Sequence, residues 1–238
     1  MFTRRKKDRD LPFCSCVIVA AGMSERMGED KMRLELCGAP LIARTLEAIE
    51  ICPCIGEIIL VTHSQDIVDM AKLCREFGID KVTKIIVGGE TRMRSVLAGL
   101  SEISPRAGLV AIHDGARPLV TPEIVEAAVR AAETKLAAAP AIPLRDTIKH
   151  VNERGEADST PPRAEYAAVQ TPQVFEADLI KAALTAAMEK DLELTDDCAA
   201  VEALGVKPAM VPGSWENIKV TTPLDIRIAE TIYRDRGR

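Results

Sequence analysis

Aromatic residues are scarce in this 238-residue chain: Phe, Trp and Tyr make up 3% of it, with one tryptophan. Single-stranded nucleic acid is bound on rings set in series, so that class of function is disfavoured. A basic surface is lacking as well, because the formal net charge is −5. Duplex binding through counterion release needs a cationic face, and none is legible. A polyanionic ligand would have to be met by a local pocket of cations. No apolar run reaches the roughly 18 residues of a membrane span. Seven cysteines occur, Cys14, Cys16, Cys37, Cys52, Cys54, Cys74 and Cys198, an odd number with no Cys-x-x-Cys pair. Cys14 and Cys16 would share one strand face, which leaves a metal pair open. Small buried side chains in a reducing compartment are the simpler account, and a cytoplasmic location is expected.

The first residues need separate treatment. Positions 1–9 are basic and 11–22 nearly apolar, ending in Ala-Ala-Gly, a pattern that could pass for a signal peptide. Asp8 and Asp10 interrupt the basic part, and the apolar run has a better use as a strand. The stretch 1–12 is therefore read as an N-terminal tail.

Hydrophobic residues make up 47% and charged residues 28% of the chain, a balance that allows one large α/β domain or two small ones. Short β-branched runs alternate with helical patterns. Strands are expected at 14–20, 57–62, 83–87, 109–113, 138–143 and 207–211. Helices are expected at 39–51, 64–77, 90–103, 122–135, 176–188, 196–204 and 223–234, with Pro40 and Pro122 near two helix starts. This alternation predicts right-handed crossovers and a mostly parallel sheet, with ligands bound beyond the carboxyl ends of its strands. The pattern breaks at 145–170, a polar stretch with Gly155 and Pro161-Pro162. It is too long for a plain connection. A projecting arm or lid that packs on another subunit and a disordered loop both fit it.

After the first strand come Ala20-Ala21-Gly22-Met23-Ser24-Glu25-Arg26-Met27-Gly28, then Lys31. Small residues there let the backbone approach a bulky anion, and Arg26 and Lys31 add cations. A strand-to-helix turn with solvated charges fits equally well. The pattern is neither Gly-x-Gly-x-x-Gly nor a Walker loop, which weighs against a dehydrogenase or an ATPase.

This opening resembles the sugar-phosphate nucleotidyltransferases, whose signature is Ala-Ala-Gly, a basic residue and Lys, then Lys-x-x-Leu-x-Leu-x-Gly-x-Pro-Leu, matched here from Lys31 to Leu41. Further motifs follow in order: Gly88-Gly89-Glu90-Thr91-Arg92-Met93-Arg94-Ser95-Val96, His113-Asp114-Gly115-Ala116-Arg117-Pro118, Gln170-Thr171-Pro172-Gln173, Thr195-Asp196-Asp197 and Glu216-Asn217-Ile218-Lys219-Val220-Thr221-Thr222-Pro223. Together they resemble the 2-C-methyl-D-erythritol 4-phosphate cytidylyltransferases of the non-mevalonate isoprenoid pathway, over about residues 14–233. The sequence departs from that family's habit at Asp30, where Pro is common, and at Tyr166-Ala167, where Leu-Trp is frequent.

The resemblance implies a Rossmann-like α/β domain over 13–238, with a mostly parallel sheet flanked by helices. It also implies a β-arm at about 145–170 for dimerisation. It implies transfer of a cytidylyl group from CTP to methylerythritol phosphate with release of pyrophosphate, and Mg²⁺ accompanying the CTP, with no metal ligands assigned. The partners implied are these small molecules and a second subunit, with neither nucleic acid nor membrane. The attacking group is a phosphate oxygen that is already anionic, so positioning and electrostatics should carry the reaction. By resemblance Arg26, Lys31, Arg163 and Lys219 are the catalytic cations. Ala20, Ala21, Gly22, Gly89, Glu90, Arg92, Ser95 and Asp114 match the nucleotide site. Asp114, Arg117, Thr147, Arg163 and Lys219 match the acceptor site, and Thr147 and Arg163 could act in the partner's site. A ribitol 5-phosphate cytidylyltransferase is the near alternative, although Ala-Gly-Gly is usual there in place of Ala20-Ala21-Gly22. A non-catalytic nucleotide-binding module is the distant one, and it leaves the separated cations unexplained.

Overall fold

A strand made of continuous apolar residues must be covered on both faces. A computed structural model, which describes residues 12–22 and 31–237, gives β1 (Cys14–Val19) that cover. A small hairpin follows, β2 (Glu35–Leu36) and β3 (Ala39–Pro40), then α1 (Leu41–Glu50), β4 (Ile55–Thr62) and α2 (Ile67–Glu76). Next come β5 (Val82–Val87), α3 (Arg92–Glu102), β6 (Leu109–Asp114), α4 (Pro122–Lys135) and β7 (Ala137–Pro143). The remainder is β8 (His150–Val151), β9 (Ala157–Ser159), β10 (Ala167–Val169), β11 (Gln173–Glu176), α5 (Ala177–Glu189), α6 (Asp197–Glu202), β12 (Ala209–Pro212) and α7 (Pro223–Asp235).

The central sheet runs β10-β7-β11-β6-β1-β4-β5, with β12 also on β7. Strands β5, β4, β1 and β6 are mutually parallel, as are β12 and β7. The first four parallel strands therefore lie in the order third, second, first, fourth. The order reverses between β1 and β6, the place where α/β sheets open a crevice at their carboxyl edge. On one face Cys14, Cys16 and Ile18 pack with α1, α2, α4 and α7; on the other Val17 packs with α3, α5 and α6. All of the cysteines are free, and Cys14 and Cys16 are fully buried in the first of these cores.

The structure differs from the sequence reading at several element ends. Ala39 and Pro40 pair back onto Leu36 and Glu35, so the helix expected from residue 39 starts at Leu41. Their turn uses Cys37 and Gly38 at φ of 48° and 79°, the left-handed pair of a tight hairpin. Ser64–Asp66 form a 3-10 turn before α2. The stretch 167–176, whose first residues were expected in a projecting β-arm and whose remainder in no strand, supplies β10 and β11, both antiparallel to β7 in the central sheet, and β11 also antiparallel to β6. Polar Gln170, Thr171 and Gln173 hide the pattern there. The polar stretch 145–170 contains the hairpin β8–β9, which pairs with itself off the central sheet. Among the described residues no helix is long and apolar enough to cross a membrane.

Helix α3 lies close on the sheet at Gly99. A Cβ there would collide with Val17 Cγ1 and stand 3.2 Å from Val61 Cγ2. Alanine in a helix normally gains about 1 kcal/mol over glycine, but overpacking a core costs about 1–3 kcal/mol. Gly99→Ala should therefore lower the unfolding free energy, by up to about 2 kcal/mol, in urea titration. A stabilised variant would show that α3 moves away freely.

Candidate active site

The crevice between β1 and β6 is a cleft of about 200 Å³. Val19, Ala21 and Gly22 line it from the end of β1, and Asp114, Gly115 and Ala116 from the end of β6. Glu90, Thr91, Arg92 and Ser95 come from the start of α3, Met32 from the segment before β2, and Lys219 from the loop before α7. Small residues make this approach possible. A Cβ on Gly88 would lie 2.5 Å from that of Ala21, and one on Gly115 would lie 3.1 Å from the Val19 carbonyl oxygen. Thr91 caps α3 by accepting from the Arg94 N–H, and the first turn of that helix opens on the cleft. Exposed N–H groups and a positive helix end favour an anion there. Ser95 is buried, and its Oγ accepts from the Gly89 N–H at 3.1 Å, which fixes the glycine loop.

Asp114 is the electrostatic centre. Its carboxylate lies 3.0 Å from Lys219 Nζ, 3.4 Å from Arg117 Nε and 3.7 Å from an Arg92 nitrogen. Burial pushes this carboxyl up, but the charges of Lys219, Arg92 and Arg117 outweigh it and hold it well below the usual carboxylate range. Arg92 is itself held in a two-pronged pair by Asp197, at 2.9 and 2.7 Å. Such a fork fixes the guanidinium plane as well as its charge. Burial pushes the Asp197 carboxyl up against the pull of Arg92. Gln173 in turn fixes Asp197: its Oε1 accepts from the Asp197 and Cys198 N–H groups, each at 3.0 Å.

A second polar knot sets the position of Lys219. Asn217 donates to the Thr171 carbonyl at 3.0 Å and to Gln170 Oε1 at 3.3 Å. Arg117 donates to the Asn217 carbonyl at 2.7 Å, and Gln170 Nε2 to the Ser214 carbonyl at 2.8 Å. Thr171 Oγ1 accepts from the Asp114 N–H at 3.1 Å and lies 3.0 Å from His113 Nδ1. His113 Nε2 lies 3.2 Å from the Arg117 carbonyl, which can only accept, so Nε2 carries the proton and Nδ1 accepts from Thr171. Burial pushes His113 down to about 4, and the ring is neutral at physiological pH.

The chain has relatives among known proteins. The family model for IspD, 2-C-methyl-D-erythritol 4-phosphate cytidylyltransferase, matches residues 14–235. The chain belongs to that family. A cytidylyltransferase of this name from Alkaliphilus oremlandii is 42% identical over 225 residues, covering 93% of this chain and 95% of its own. One from Halalkalibacterium halodurans is 43% identical over 227 residues, covering 94% and 98%. The crystal structure of 4-diphosphocytidyl-2C-methyl-D-erythritol synthase from Anaerococcus prevotii superposes with a TM-score of 0.85 at 30% identity, covering 94% of this chain and 99% of that one.

Within this cytidylyltransferase the cleft gathers Ala21, Gly22, Glu90, Arg92, Ser95, Asp114 and Lys219 from the residues expected in the site. Ala20, which is buried, and Gly89, which is exposed, do not line it. Arg117, expected at the acceptor, has its guanidinium turned inward onto Asp114 and the Asn217 carbonyl. Thr147 and Arg163 are exposed on the stretch after β7 and do not line this cleft. Arg26 and the Lys31 side chain lie outside the described residues, although Gly22 and Met32, on either side of 23–31, both line the cleft. The supporting roles of Asp197, Gln173 and Asn217 escaped the sequence reading. Thr195-Asp196-Asp197 was visible as a motif, but only Asp196 reads from sequence as a helix cap, accepting from the Ala199 N–H.

The neutral His113 gives the cytidylyltransferase an acid-sensitive joint. The folded-state pKa lies below the ordinary 6.5, so the unfolded chain takes up this proton first as pH falls. The contribution to stability is complete above about 6.5 and is lost as pH falls to about 4. The shift corresponds to about 3 kcal/mol. Urea unfolding at pH 7 and pH 4.5 should show a larger acid loss in the wild type than in His113→Gln, which is less stable at pH 7 but does not titrate. Equal losses in the two proteins would remove His113 from the acid response.

Proposed function

We propose that the chain carries out the family's reaction, transfer of the cytidylyl group of CTP to 2-C-methyl-D-erythritol 4-phosphate with release of pyrophosphate, in the cleft around Asp114. The observation that carries this reading is the convergence of Lys219, Arg92 and Arg117 on one carboxylate at the mouth of a parallel sheet. Two phosphorylated molecules repel each other, and a site that joins them must supply fixed positive charge in a place sheltered from water.

The backbone of Ala20-Ala21-Gly22 and the start of α3 receive the nucleotide, with Gly89, Glu90 and Ser95 toward the base. Arg26 and Lys31 serve the triphosphate and the charge that grows at the α-phosphorus. Lys219, half exposed beside Asp114, reaches the attacking phosphate, and Asp114 keeps the ammonium in place until substrate arrives. The nucleophile is an anionic oxygen and needs no general base. Neutral His113, enclosed by Thr171 and Arg117, is left a structural task. Thr147 and Arg163 contact the acceptor from a partner subunit's arm in a cytoplasmic homodimer. Their exposure outside their own cleft supports this assignment.

Among the described residues there is no group of three or more His, Cys, Asp or Glu able to hold a metal. Among the described residues, Asp114 and Glu90 are the carboxylates that line the cleft. That fits Mg²⁺, which is commonly held by one or two carboxylates together with substrate phosphates and water. Asp114 would hold it, and the ion would neutralise charge on the phosphate oxygens.

The direct test is pyrophosphate release from each of the four nucleoside triphosphates, with methylerythritol phosphate and with ribitol 5-phosphate. CTP with methylerythritol phosphate should be the productive pair; turnover of ribitol 5-phosphate alone would reject the acceptor. Lys31→Ala should lower kcat by about 100-fold or more, as loss of a transition-state contact does, with CTP binding weakened far less. Normal turnover in that variant would leave Lys31 with no catalytic role.

A further inference from the structure

Resting on the reading above, a further contact bears on how the arm cation is placed. The Arg145 guanidinium carbon lies 3.6 Å from the centre of the Trp215 ring. Trp215 is the single tryptophan of the chain, and the residue is 41% exposed. The backbone carbonyl of the same Arg145 accepts a hydrogen bond from the Arg163 guanidinium. One residue thus touches both the loop that carries Lys219 and the cation assigned to the acceptor phosphate.

The two sides of this contact differ in how firmly they are held. The Trp215 loop is fixed to the body of the protein. Gly213 N–H donates to the Ala141 carbonyl at 2.9 Å, Ser214 N–H to Gln170 Oε1 at 3.2 Å, and Asn217 to the Thr171 carbonyl at 3.0 Å. No residue of 144–166 is buried, and the β8–β9 hairpin within it pairs only with itself, so few contacts set the course of that stretch. A planar guanidinium stacked on an indole is directional in a way that a lysine contact is not. We infer that Arg145 stacked on Trp215 is a positioning pair, which ties the root of the arm to the Lys219 loop and so sets where Arg163 meets the acceptor phosphate.

Steady-state kinetics with CTP and methylerythritol phosphate test the pair in the full-length enzyme. Trp215→Ala and Arg145→Gln should each raise KM for the acceptor about fivefold, the scale of one half-exposed cation–π contact. KM for CTP should stay within about twofold, and the double variant should be no worse than either single one, because both remove one interaction. Trp215→Phe, which keeps an aromatic face, should restore near wild-type values. Arg145→Gln should also change the emission of the lone indole. An unchanged acceptor KM in both single variants, equal losses for both substrates, multiplied losses in the double variant or unaltered emission would each overturn the inference. A wild-type enzyme that does not turn over these substrates would instead refute the reading of function, and the emission of Arg145→Gln would then judge the stack by itself.

Discussion

A carboxylate surrounded by two guanidinium groups and an ammonium at the end of a central strand organises the rest of this protein. Like charges gathered at one place repel, and in the cleft proposed to receive phosphates the cations are held together without any phosphate present. Asp114 does this for Arg92, Arg117 and Lys219. Its own burial would favour the neutral acid, and the surrounding charges reverse that preference. The interaction is mutual: without the cations the carboxylate is costly to bury, and without the carboxylate the cations have no shared anchor.

The fold brings these groups together from distant parts of the chain. Asp114 comes from the end of β6, Arg92 from the first turn of α3, and Lys219 from the loop before α7. Two of them are held by polar neighbours that do not themselves line the cleft: Asp197 and Gln173 behind Arg92, Asn217 and Thr171 behind the Lys219 loop. These contacts cross elements that are adjacent only after the sheet has formed. A loosely supported site loses much of its electrostatic advantage, because dipoles and charges that must reorganise during the reaction stabilise little.

The helices were readable to within a few residues because their apolar periodicity is strong, as at α4, which begins and ends where the pattern says. Strands β1 and β4 were readable from their apolar stretches at 16–19 and 58–61, because both of their faces are covered. Strands β10 and β11 were not, because both are short and the buried residues at and between them include Gln170, Thr171 and Gln173, whose partners lie far along the chain. The β2–β3 hairpin was hidden for a local reason: Ala39 and Pro40 read as a helix start, and only their pairing with residues 35–36 makes them a strand. In the cleft, glycines and cations were legible as motifs. The inward turn of Arg117 was not, since an arginine after Asp-Gly-Ala has the same sequence signal whether it faces a ligand or a carboxylate beneath it.

By itself the sequence determined the alternation of strands and helices, the small residues at Ala20-Ala21-Gly22 and Gly88-Gly89, and the order of motifs that marks the family. These are properties of neighbouring residues, written in periodicity and side-chain size. Only the tertiary structure decided which charges share one carboxylate, which of them face the cleft and which brace its wall. Electrostatic pairing depends on distances of 3–4 Å between atoms far apart along the chain, and those distances exist only once the sheet has brought its strand ends to one edge.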